Sequence, residues 1–187
     1  MPTRDLVLSA LFAAIIVALG LVPPIMLGFI PVPITAQSLG VMLAGVVLGA
    51  KRGTISVLLV LVLAAIGLPV LSGGRGGLAV FMAPTTGYLI GWVFTALITG
   101  YLSQLMVGRD QSGLVQTVNF FIAALVGGVV VLYGFGIIYL ALVTGMGFTQ
   151  AFLGSMAFIP GDVIKALIAA LAGRAVMVGY PLLPQRA

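Results

Sequence analysis

The sequence predicts an all-α integral membrane protein, with about six transmembrane helices in a single bundle and both termini cytoplasmic. Three observations lead there. Of 187 residues, 62% are hydrophobic and only 6% charged, against about 25% charged in an average soluble domain. So few ionised groups cannot cover a folded surface in water, whereas hydrocarbon favours apolar side chains and penalises charge. The apolar residues also fall into runs near the length at which a helix crosses ~30 Å of hydrocarbon. Lastly, the basic residues collect on one side of those runs.

Leu6 to Val22 is the first run, stopped by Pro23 and Pro24, which cannot continue a helix. The polar start before it is too short for a secretory leader and no small-residue cleavage site follows, so the run reads as a retained helix. Residues 35–49 make a short second run, ending at Lys51 and Arg52. The third covers 53–68 and is closed by Gly67 and Pro69. A Gly-rich stretch, Leu71 to Pro84, leads to the fourth run, 85–106, closed by Gly108, Arg109 and Asp110. A long fifth run covers 117–144. Residues 148–158 read as a short helix or loop at one interface, and 160–178 as the sixth span, with Pro160 in its first turn. One long helix over 148–178, kinked at the proline, is the alternative.

With six spans, Arg4, Lys51, Arg52, Arg109, Arg174 and Arg186 share the side of both termini, Arg75 alone faces the other, and Lys165 is left over inside a span. The positive-inside bias then puts the termini in the cytoplasm. Eight basic residues scattered singly form no patch for nucleic acid. The absence of Cys and His removes disulfides, thiolate metal sites and the commonest general base. There is no Gly-x4-Gly-Lys-Ser/Thr loop to cradle ATP phosphates. An enzyme, a metal site and a resident cofactor are therefore not expected; binding and transport fit better.

The unusual polar residues converge in depth. Thr35, Gln37 and Ser38 open the second span from outside, and Thr85, Thr86 and Tyr88 open the fourth. Asp162 and Lys165 open the sixth, while Arg75 sits in the Gly-rich outer connection. Asp162 and Lys165, at i and i+3, share a helix face. Ionisable groups at membrane depth are functional by default, although the pair could equally satisfy itself at the positive helix N-terminus. Arg75 is a ligand contact or an exposed loop cation, and Gly73 to Gly77 a lid or a plain flexible loop. On the first helix Ala10, Ala14 and Ala18 form a small-residue stripe that admits a close helix neighbour, inside the chain or from a partner. Gly87, Gly91 and Gly136 read as internal packing positions.

Four stretches carry a family likeness: PVPITAQSLG (31–40), GLPVLSGGRGG (67–77), PTTGYLIG (84–91) and IPGDVIKA (159–166). Together they resemble the BioY family, the biotin-specific substrate-capture (S) components of energy-coupling-factor (ECF) transporters. The resemblance implies a multi-pass plasma-membrane protein that binds biotin from outside and partners a transmembrane coupling subunit and two ATP-binding-cassette ATPases. It also implies that the stripe of Ala10, Ala14 and Ala18 is the docking surface for the coupling subunit. An S component for another vitamin, or a non-transport membrane scaffold, are the rival readings. One departure is Thr86, where the family pattern carries a second Gly, and Thr tolerates positive φ poorly. Biotin offers two ureido N–H donors, a ureido carbonyl and a valerate carboxylate. Asp162 can accept from the N–H groups, and Thr35 and Gln37 can donate or accept. Lys165 or Arg75 can meet the carboxylate or the carbonyl, and Tyr88 can stack on the bicycle.

Overall fold

The computed structural model describes residues 2–180, 182 and 183, and among them every regular element is helical. Arg186, one of the cations assigned to the terminal side, lies outside the described residues. Helix α1, Thr3–Gly20, buries Ser9, Phe12, Ala13, Ile16 and Gly20 and packs on α2. Its opposite face, with Ala10, Ala14 and Ala18, stays exposed. The small-residue stripe therefore does not pack inside the described chain.

Helix α2, Gln37–Ala65, has 29 residues but is not straight. Gly49 takes φ 80° and ψ 179°, a conformation open to glycine and strained for other residues. The chain doubles back at this point. A Cβ on Gly53 would lie 2.8 Å from Ala44 O, although nine residues of straight helix would hold the two about 13 Å apart. Residues 37–48 and 50–65 are thus two limbs folded on one another, matching the second and third apolar runs. The turn rests on α3, Thr86–Met106, where Gly100 has no side chain to collide with Ala50 N. Gln104 Oε1 accepts the Ala50 N–H at 3.1 Å.

The fifth run is helical from residue 113 to 144 in three pieces: α4 (Gly113–Leu125), a π-helical turn (Val126–Val131) and α5 (Leu132–Thr144). It begins four residues before the apolar run because Ser112 caps it, accepting the Val115 N–H at 3.4 Å. Gly145 closes it in the left-handed conformation, φ 67°. Helix α6, Phe148–Met156, is a separate short helix set at 52° to α7, Ile159–Gly179. Pro160 stands in the first turn of α7, where its missing N–H matters least. By length and composition, Thr3–Gly20, Gln37–Ala65, Thr86–Met106 and Gly113–Thr144 can each cross a membrane, and the bent pair α6–α7 makes a fifth candidate.

Glycines bring α3 and α5 close: Gly91 abuts Leu132, Gly87 abuts Tyr139, and Gly136 leaves room for the Tyr88 ring. At one end of the bundle Arg52 pairs with Asp5 at 2.7 Å and donates to Leu182 O at 3.0 Å. Arg4 lies 5.5 Å above the Tyr180 ring. Arg174 covers Gly113 beside the Arg109 connection. These contacts place Arg4, Arg52 and Arg174 at one end. Arg75 and Lys165 lie together toward the other.

Candidate functional site

The end that carries Arg75 contains a cavity whose empty space, open mouth included, is about 590 Å³. Thr35, Gln37, Arg75, Tyr88, Asp162 and Lys165, the six ligand candidates from the sequence, all line it. They arrive from the entry to α2, the Gly-rich connection, the first turn of α3 and the first two turns of α7. The wall is completed by apolar and aromatic groups, among them Val32, Leu71, Leu89, Trp92, Leu132 and Phe158.

Asp162 anchors the polar side. It is 4% exposed in the first turn of α7, where free backbone N–H groups favour a negative charge. Its Oδ1 accepts from Lys165 Nζ at 2.8 Å and its Oδ2 from the Tyr133 hydroxyl at 2.5 Å. Lys165 Nζ also donates to Ser38 Oγ at 3.0 Å, leaving one of its three N–H groups for a ligand. Each carboxylate oxygen likewise retains a free lone-pair direction. The pair is therefore satisfied yet not saturated.

Arg75 comes from a loop held in shape by the Leu71 and Arg75 backbones, which exchange hydrogen bonds at 3.0 and 3.1 Å. Its Nε donates to Ser72 O and its Nη1 to Thr85 Oγ1, both at 3.2 Å. Half-burial lowers its pKa from the ordinary arginine value through desolvation. With Arg75 and Lys165 set against Asp162, the ionisable groups lining the cavity leave one net positive charge. Among the described residues no group of three or more His, Cys, Asp or Glu could hold a metal.

Gln37 lines the cavity, but its amide is committed elsewhere. Nε2 donates to Ile16 O and Val70 O at 3.1 and 3.0 Å, and Oε1 accepts the Ser72 N–H at 2.7 Å. It ties α1, α2 and the Arg75 loop together at 1% exposure. Tyr88 meets Ser155 Oγ at 2.9 Å, and since that hydroxyl donates to Ala151 O, Tyr88 is the donor and its oxygen can still accept. Thr86, the departure from the family pattern, starts α3, and no non-glycine residue described has positive φ. Its hydroxyl sits 2.8 Å from Ala83 O and 3.1 Å from Val80 O, fastening the 3-10 turn Leu78–Phe81 to α3.

Sequence reasoning did not single out Tyr133 or Trp92. Trp92 is the one tryptophan of the chain, on α3 one helical turn beyond Tyr88, and that was a usable signal. Tyr133 had none: it lies in the same apolar run as Tyr139, and only the bundle decides which of the two reaches the cavity.

A family model described as the BioY family matches residues 1–181. The chain is 77% identical to the "Biotin transporter BioY" of Rhizobium etli, covering 100% of both chains. It is 49% identical to the "Biotin transporter BioY" of Rhodobacter capsulatus, covering 92% of this chain and 93% of that one. Its fold is similar to the crystal structure of the S-component for biotin from an ECF-type ABC transporter, with a TM-score of 0.89, 36% identity and 97% of each chain covered.

Proposed function

The chain belongs to the BioY family, and we propose that it captures biotin from the outer face of the plasma membrane as the S component of an ECF transporter. It is an integral membrane protein of a transport family, not of an enzyme family. The observation that supports the substrate best is the donor set of the cavity. A buried acceptor pair on Asp162, a spare Lys165 N–H beside it, and a separate guanidinium at Arg75 face an apolar pocket with one net positive charge. Biotin is the complement: a bicycle with ureido donors and acceptor, an aliphatic chain, and one carboxylate.

Chemistry assigns the contacts. An ionised Asp162 only accepts, so it meets the ureido N–H groups, the only donors biotin has. Lys165 is pinned next to Asp162, so its free N–H meets the ureido carbonyl. Arg75 then takes the carboxylate, which suits its planar fork. Trp92 and Tyr88 enclose the bicycle, and Gln37 holds the Arg75 loop rather than the ligand.

The two limbs of α2 are read as separate crossings, giving six with the bent α6–α7 pair counted as one, and the basic end of the bundle as cytoplasmic. The exposed face of α1, with Ala10, Ala14 and Ala18, is the docking surface for a transmembrane coupling subunit that carries two ATP-binding-cassette ATPases. Binding of radiolabelled biotin to the purified protein in detergent, competed with other vitamins, tests the substrate. Displacement by an unrelated vitamin as effective as by biotin itself would refute it.

A further inference from the structure

We infer that Tyr133 is a positioning residue for the biotin site: its hydroxyl sets the Asp162 carboxylate, and a π-helical turn ahead of it aims it there. The inference deepens the reading above and rests on Asp162 being the acceptor of the ureido N–H groups.

A carboxylate rotates in a broad, nearly flat torsional well. Lys165 comes from the same helix as Asp162 and holds only Oδ1, which leaves the plane of the group free to swing. Tyr133 reaches Oδ2 from α5, at 2.5 Å. With both oxygens fixed from two different helices, the remaining lone pairs point in one set direction. Tyr133 is itself held, 5% exposed and edge-on to Tyr88 with ring centres 6.4 Å apart.

Its aim depends on the turn before it. In a continuous α-helix each residue advances about 100° around the axis, and a π turn inserts one residue into that progression. Everything after Val126–Val131 is therefore turned by about 100° relative to an uninterrupted helix. Tyr133 is the second residue beyond the turn. Without the insertion its ring would be swung about 100° around the helix axis from the direction that meets Asp162.

The turn is fixed by residues outside the cavity. Gly127 O takes the Leu132 N–H, the five-residue bond of a π turn, and also the Thr95 hydroxyl at 2.9 Å. The second donor offsets the poorer geometry of that bond in a setting without water. A Cβ on Gly127 would collide with the Thr99 hydroxyl, and one on Gly128 with the Met42 side chain, so both glycines press directly on their neighbours. Thr95 is 1% exposed and does not line the cavity.

The chain has three acidic side chains, Asp5, Asp110 and Asp162, so isotope-labelled aspartate gives a carboxylate infrared spectrum simple enough to assign. The Asp162 band is the one lost in Asp162→Asn. Tyr133→Phe is expected to move that band in the absence of biotin and to weaken biotin binding about tenfold. In the Asp162→Asn background the same change should alter affinity by less than about twofold. Thr95→Val, close to isosteric and outside the cavity, should move the same band and weaken binding about threefold. A band unmoved in Tyr133→Phe, or a moved band with unchanged affinity, would overturn the positioning role. A Thr95→Val variant that melts lower but keeps its band and affinity would overturn the part assigned to the π turn. If Asp162→Asn binds biotin like the parent while Tyr133→Phe still moves the band, the failure lies in the site reading underneath.

Discussion

Asp162→Asn perturbs the one buried acid of the cavity with the least change of shape. The carboxylate accepts from Lys165 at 2.8 Å and from Tyr133 at 2.5 Å. An amide keeps one acceptor oxygen and gains two donors. Lys165 only donates, so the amide must turn its oxygen to Lys165 and its NH2 toward Tyr133, whose hydroxyl can accept instead. The ureido N–H groups of biotin would then face a donor where an acceptor stood. A hydrogen bond to a charged group contributes about 1.5–3 kcal/mol, so the dissociation constant should rise roughly tenfold to a hundredfold. One term opposes this: the change adds one positive charge to the lining and favours the carboxylate of biotin, which keeps the loss near the lower end. The ligand-free protein should suffer too. Lys165, with its side chain 15% exposed, keeps only Ser38 and a neutral amide, so its charge loses its counter-charge and the melting temperature should fall. Calorimetric titration with biotin in detergent, beside melting curves without ligand, separates the two effects. A lower melting temperature with an unchanged dissociation constant would show that the pair only satisfies itself, and the site assignment would fall.

Arg75→Gln should weaken biotin about tenfold or more through the lost charge-assisted contact, yet leave an uncharged biotin amide within about twofold; equal losses for both ligands would remove Arg75 from the carboxylate. Ala14→Trp should leave biotin binding intact and abolish stable association with the coupling subunit, because a bulky side chain prevents close helix approach; an intact complex in a pull-down would refute the docking face. Leu78→Cys, at a position 69% exposed in the Gly-rich connection, should be labelled by an impermeant thiol reagent in intact cells, whereas Lys51→Cys should react only after lysis; the reverse pattern would invert the orientation. Gly100→Ala would drive a methyl group into the Gly49–Ala50 turn and should destabilise the protein by about 1–3 kcal/mol, read as a lower melting temperature with biotin affinity retained once folded.

The likeness to the S component was legible because its motifs are local. Each of the four stretches is eight to eleven residues long and supplies residues to the cavity, so chemistry and position could be read together. That is why Asp162, Lys165, Thr35, Gln37, Tyr88 and Arg75 could be nominated from sequence, and why all six line one cavity. Their individual tasks were less legible. Gln37 has the chemistry of a ligand contact, but three backbone partners from distant segments occupy it, and no spacing rule exposes that.

Composition and run length by themselves determined that this is a helical membrane protein, because lipid leaves a chain no other way to satisfy its backbone over long apolar stretches. Pro, Gly and the basic residues marked the breaks, because those residues act locally. Lys51 and Arg52 marked the break between the second and third runs, but the tertiary structure decided that the helix turns back on itself at Gly49, since the turn depends on Gly100 and Gln104 of another helix. It likewise decided that Tyr133 rather than Tyr139 joins Asp162. Periodicity counts residues at a constant angle, and the π turn at Val126–Val131 breaks that count through contacts with Thr95, Thr99 and Met42, residues far away in sequence.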